Sequence, residues 1–212
     1  MKSKIQSLKN GNKKTVIKKL FLTAAVAVSS VTFAQQFGAK AGMNVSTISD
    51  EGFDDTKSKV GYYAGVFMNV PVSESFSIQP EVLYNNLGSK VTVSGTTYSS
   101  TLNLDYVAVP VMFQYKATPQ FYLEAGPEFG FLVNAKHKLD NGSSSIVTEL
   151  DKEDFNSFNM GVGLGLGFDI SKNVGLNARY VAGFSDITKE SGPATDAKNK
   201  NNAFQVGLNI KF

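Results

Sequence analysis

The sequence predicts an all-β fold, an eight-stranded antiparallel up-and-down transmembrane β-barrel. Three observations carry that prediction. From Gln35 onward apolar residues recur with a period of two, the repeat of a strand and not of a helix. One face of the alternating runs is unbroken hydrocarbon and the other is small or polar, the inverse of a soluble barrel. The connections alternate between short turns and long polar loops, the arrangement of outer-membrane barrels.

The runs are taken in chain order. Phe37, Ala39, Ala41, Met43 and Val45 share a face, opposed by Gly38, Lys40, Gly42 and Asn44. Val60 to Val70 repeats the pattern against Gly61, Tyr63, Gly65, Phe67 and Asn69. The third run sets Phe76, Ile78, Pro80, Val82 and Tyr84 against Ser77, Gln79, Glu81 and Leu83. The fourth, Leu102 to Lys116, is apolar on both faces, and a bulge near Tyr106 would reconcile its two halves. Phe121 to Val133, Phe158 to Ile170, Val174 to Phe184 and Phe204 to Phe212 complete the set. Leaving the fourth run aside, 41 positions lie on the apolar face and none is charged, while 13 of the 34 opposite positions are glycine and seven are charged. Small and polar residues suit a narrow lumen and bulky apolar ones suit lipid. Eight strands also close without an edge, which hydrocarbon requires because it cannot hydrogen-bond a free backbone. Pro80, Pro110 and Pro127 each remove a ladder donor, so bulges or slipped pairing are expected there.

Short links are expected at 71–75, 117–120 and 171–173, and long polar loops at 47–58, 86–100, 136–156 and 185–201. Tyr62, Tyr84, Phe121, Phe158, Tyr180, Phe184, Phe204 and Phe212 lie toward strand ends on the apolar face, where they read as interfacial girdle residues.

The first 34 residues are different in kind. They hold seven lysines and no acid; Lys18 and Lys19 precede the apolar stretch Leu20 to Val28, and Thr32-Phe33-Ala34 offers small residues at −3 and −1. This predicts a signal peptide over 1–34, cleaved after Ala34, with the barrel domain over 35–212. The precursor carries a net charge of +3. Removing seven lysines leaves 14 basic against 18 acidic residues, a net −4. The basic character therefore belongs to export, and no nucleic-acid partner is indicated. With no cysteine, there is neither a disulfide framework nor a thiolate metal site.

Several segments resemble one known family. Phe37-Gly-Ala-Lys-Ala-Gly-Met-Asn44, Ser77-Ile-Gln-Pro-Glu-Val-Leu-Tyr84, Leu104-Asp-Tyr-Val-Ala-Val-Pro110, Glu124-Ala-Gly-Pro127 and the terminal Phe212 together look like the PorT-like outer-membrane β-barrel family. The resemblance spans essentially the whole mature chain. It implies an integral outer-membrane barrel of eight strands, in contact with outer-membrane lipid and assembled by the barrel-assembly machinery, for which Phe212 resembles the C-terminal signal. It implies no single activity, since only some members are linked to protein export.

Candidate chemistry is sparse. The seven inward charges, Lys40, Glu81, Glu124, Glu128, Asp169, Arg179 and Lys211, are expected to pair across a filled lumen as a structural network; a proton or ion path is the alternative. A wide solute channel needs around 16 strands, so a general porin is not expected. The glycines from Gly161 to Gly167 recur every second residue and supply lumen space; they do not spell a phosphate loop. His137, the only histidine, has Ser143, Ser144, Ser145 and Glu149 nearby in sequence, the ingredients of a lipid-modifying hydrolase with a histidine base; a solvated loop histidine is the simpler expectation. The acidic stretch Asp50 to Asp55 lacks the spacing of a calcium loop. The sequence therefore predicts no catalytic residue, cofactor or metal, and a non-enzymatic barrel, structural or binding an unidentified protein partner through its long loops.

Overall fold

The computed structural model describes residues 35–48, 58–92, 95, 97–152, 155–187 and 200–212. The expected signal peptide and cleavage at Ala34, and the acidic stretch Asp50 to Asp55, lie outside the described residues.

The described residues form nine strands: β1 (Gln36–Ile48), β2 (Lys59–Pro71), β3 (Phe76–Thr92), β4 (Ser99–Lys116), β5 (Phe121–Asp140), β6 (Ser145–Glu149), β7 (Phe158–Asp169), β8 (Val174–Asp186) and β9 (Lys200–Lys211). Eight of them close a ring, β4-β3-β2-β1-β9-β8-β7-β5 and back to β4, every pairing antiparallel. The strand β6 stands outside the ring and pairs only with β5. The start of β1 and the end of β9 meet at the end bearing the short turns, where the Phe212 amide donates to the Phe37 carbonyl at 2.9 Å.

Burial follows the predicted faces. Lys40, Gln79, Glu81, Gln114, Glu124, Asn177, Arg179 and Asn209 are buried inside the ring, while Phe37, Val66, Val82, Leu164, Leu208 and their face-mates are exposed on its outside. An apolar exterior over a polar interior is stable only in hydrocarbon. Aromatics cap this band at both ends: Tyr62 stacks on Tyr84 at the loop end, and Phe76 packs on Tyr115 at the turn end.

The lumen is not filled only by small groups. Tyr63, Phe67 and Tyr122 also point inward and are buried, each across the ladder from a glycine: Gly42↔Tyr63, Gly38↔Phe67 and Tyr122↔Gly167. A Cβ at any of these glycines would overlap the ring beside it. The inward glycines are therefore seats for neighbouring rings, a cross-strand device in which an aromatic covers the bare backbone.

The fourth strand takes its register through an irregularity between Asp105 and Tyr106, where the β4–β5 pairing slips by one residue. The three prolines sit where ladders lapse. Pairing breaks off between Phe67↔Glu81 and Val70↔Ile78, between Pro80↔Val111 and Leu83↔Ala108, and between Pro110↔Glu128 and Phe113↔Ala125. The β5–β7 ladder runs unbroken past Pro127.

Two of the expected loops are largely strand, which corrects the sequence reading. β3 continues to Thr92, β4 begins at Ser99, β5 continues to Asp140, and β6 returns beside it. The upper parts of β3, β4, β5 and β6 thus make a four-stranded sheet continuing past the aromatic band. Its last turn forms because Gly142 adopts φ 85°, while the Asn141 side chain accepts the amides of Ser143 and Ser144 at 3.0 and 2.6 Å. The Gly142 amide also donates to Asp140 at 2.9 Å and, with the nearby Lys138 ammonium, holds that exposed carboxyl below its usual range.

Candidate functional site

The lumen is the first place to look, because strands project charged side chains there from opposite walls. Arg179 on β8 spans it. Its Nη1 and Nη2 donate to the two oxygens of Glu81 on β3 at 2.9 and 2.8 Å, and its Nε donates to Glu124 on β5 at 2.7 Å. Lys40 on β1 donates to Glu81 at 2.9 Å. Arg179 and Glu81 are each 1% exposed, so the guanidinium fork supplies the charge-assisted bonds that make such burial tolerable. Gln79 donates to Glu81 at 2.8 Å and Gln114 to Glu124 at 3.0 Å, while Asn69 donates to Gln114 at 2.8 Å. Toward the turn end, Tyr63 donates to Asn177, Asn177 to Asn209 and Asn209 to Tyr122, at 2.8, 2.8 and 3.0 Å.

Of the seven inward charges, the structure brings Lys40, Glu81, Glu124 and Arg179 into one cluster. Lys211 and Asp169 form a separate pair at 2.5 Å near the turn-end rim. Glu128 joins neither: it is buried, and its Oε2 has no hydrogen-bond partner. Four acids face three bases at these positions, so one acid is left without an ion-pair partner, and that acid is Glu128. The amide and phenol members of the network were not singled out from the sequence, although the two-residue period places Asn69, Gln79, Tyr122, Asn177 and Asn209 on the inward face.

Above Glu128 the character changes. Leu87, Leu104, Tyr106, Leu132, Ala135, Phe155, Ile187 and Ala203 form a buried apolar cluster at the loop end. Phe155 and Ile187 come from the connections, which are tied together by Asn156 donating to the Ile187 and Asp186 carbonyls, both at 2.8 Å. The barrel thus has a polar waist and an apolar plug. A sequence reading of the inward face as too polar for a core overlooked the plug, because the fourth run had no assigned phase and Phe155 and Ile187 were placed in loops.

The four-stranded sheet beyond the plug is the second candidate. Its cross-strand row Val91, Ser100, Leu139 and Ile146 lies on one face, and with Tyr98 it lines an apolar cleft of about 350 Å³. Leu139 is 50% and Ile146 66% exposed. His137 belongs to this face. Its Nε2 lies 2.8 Å from Ser100 Oγ, so the expected neighbourhood of Ser143 to Ser145 is replaced by a serine on the adjacent strand. Among the described residues no carboxylate bonds the histidine. No group of three or more His, Cys, Asp or Glu side chains able to hold a metal occurs among the described residues. The hairpin was recognisable in principle: Asn141-Gly142 between Leu139 and Ile146-Val147 is a strong turn signal.

A closed ring with a hydrocarbon exterior, aromatic ends and a charged waist defines an integral outer-membrane β-barrel protein, residing in the bacterial outer membrane. The family profile described as "Outer membrane protein beta-barrel domain" matches residues 33–189, and the chain belongs to that family. No curated protein matches the chain. Among solved structures it is similar to Ail, the attachment invasion locus protein of Yersinia pestis, at 12% identity and a TM-score of 0.48 over 85% of this chain and 100% of that one. It is also similar to CarO of Acinetobacter baumannii, at 14% identity and 0.48 over 82% and 97%, and to Neisserial surface protein A, at 13% identity and 0.44 over 84% and 97%.

Proposed function

We propose that this is a non-enzymatic outer-membrane barrel that binds a partner at the cell surface through the sheet formed by β3, β4, β5 and β6, its lumen charges serving only to hold the barrel together. The observation that carries the reading is the apolar face of that sheet. Val91, Tyr98, Leu139 and Ile146 are exposed at the loop end, which faces outward in barrels of this type, and exposed apolar surface outside lipid marks interaction sites. The filled waist and plug argue against a pore. Crosslinking and pull-down from native membranes tests this: the double variant Leu139→Asp, Ile146→Asp is expected to lose the captured species while its barrel still migrates as folded. Unchanged capture by that variant would discard the sheet as the binding surface.

The reading includes export through a signal peptide cleaved after Ala34 and folding by the barrel-assembly machinery with Phe212 as the recognised end. The narrower PorT-like assignment, with its link to protein export, rests on the motifs from Phe37 to Phe212 alone. A second reading is favoured by one contact, the Ser100–His137 pair beside an apolar cleft, which is a nucleophile–base spacing. If His137→Ala leaves the lipid A mass spectrum of a host membrane unchanged, that reading is dead.

A further inference from the structure

Between the Arg179 cluster and the apolar plug lies an enclosed cavity of about 20 Å³, lined by Asn85, Tyr106, Glu128, Gly130, Asn159 and Asn201 among others. We propose that it is a binding site for a single water molecule, held by Glu128, Asn85 and Asn201.

Size and chemistry both select water. A cavity must offer roughly 10–15 Å³ to hold one molecule, and the molecule needs two to four polar partners. The Tyr106 hydroxyl on the cavity wall has no partner, and neither do Glu128 Oε2, Asn85 Nδ2 or the Nδ2 and Oδ1 of Asn201, the three residues proposed to hold the water. All three residues are more than nine-tenths buried. Asn85 presents its amide nitrogen because its Oδ1 already accepts from Gln205 at 3.5 Å. One carboxylate acceptor, one amide donor and one asparagine able to serve as either are what a molecule with two donor and two acceptor positions satisfies. A sodium ion would meet the Asn85 NH₂ group with the wrong polarity, and an apolar occupant would leave all of them unpaired. Glu128 forms no salt bridge of its own, although the Arg179 and Lys40 charges act on it, so the hydrogen bond to its free oxygen falls to the water.

The neighbouring glycine gives a clean perturbation. A Cβ at Gly130 would meet Tyr106 and Asn159 at 3.4 Å or more, ordinary contact distances, so Gly130→Ala adds a methyl group to the cavity without forcing the backbone. The test is nuclear magnetic resonance of the full mature chain in lipid nanodiscs. Wild type is expected to show cross-peaks between a slowly exchanging water and the side-chain amides of Asn85 and Asn201. Those peaks should vanish in Gly130→Ala and be indifferent to replacing sodium chloride by choline chloride. Absent cross-peaks in wild type would mean a dry cavity and overturn the proposal. So would their persistence in a folded Gly130→Ala, or amide shifts that follow sodium.

Discussion

Arg179 is the residue on which the waist depends, because one guanidinium on β8 reaches the carboxylates of two other strands, β3 and β5. Removing it leaves buried Glu124 without a cation and Glu81 with Lys40 alone. Arg179→Leu is therefore expected to lower stability by about 3–5 kcal/mol, the penalty of breaking a buried pair from one side. The triple variant Arg179→Leu, Glu124→Gln, Glu128→Gln should recover most of that loss, because the one buried ion pair it leaves in the waist, Lys40–Glu81, is complete. Folded fractions read by heat-modifiable gel shift across a urea series measure both. If the triple variant is no better than the single one, the network contributes more than charge compensation. Glycines divide by what lies beside them. A Cβ at Gly65 would overlap the Val82 carbonyl oxygen and crowd Leu83, so Gly65→Ala should reduce refolding yield where Gly130→Ala does not; equal yields would refute the steric account.

At the scale of the element, the tip of the β5–β6 hairpin lies beyond the membrane, its β6 arm bonding β5 outside the ring and its β5 arm pairing with the upper end of β4. Excising 139–146 is expected to leave heat-modifiable migration intact, since it removes no residue of the plug or waist; a barrel that no longer folds would show that the hairpin is part of the closure. This is also the element that the sequence reading missed. Strands inside lipid were legible because hydrocarbon imposes strict alternation on them. Beyond the aromatic band that constraint lapses, and Lys136-His137-Lys138 and Ser143 to Ser145 look like loop by composition although they lie on or beside a ladder. The same reasoning explains Leu102 to Lys116. Its upper half has no lipid on one side and a bulge at Asp105/Tyr106 on the other, so no single phase describes it. Of the candidate site, the inward charges could be read from parity, but their partners could not. Which of two cations meets which of the acids depends on strand stagger around the ring, and that leaves no mark in a single strand. An N-terminal element, residues 1–34, makes its own prediction: the intact mass of the protein extracted from outer membranes should correspond to a chain beginning at Gln35, and a retained Met1–Ala34 would refute cleavage there.

For the whole molecule, the decisive property is whether the ring conducts. Eight strands leave room for side chains and little else, and here that room is used twice. At the waist, Arg179 reaches Glu81 and Glu124 while Lys40 is drawn onto Glu81. Nearer the loop end, Leu104, Tyr106, Leu132, Phe155 and Ile187 pack into a continuous apolar cluster. An ion crossing the barrel would have to break the first arrangement and then shed its water to pass the second, and desolvating a charge in such surroundings costs far more than thermal energy. The purified protein in planar bilayers is accordingly expected to show no conductance steps, while the same preparation remains fully shifted on gels and so demonstrably folded. Discrete, reproducible steps from such a preparation would mean that plug and waist open together, and would turn the cluster around Arg179 from a brace into a gate.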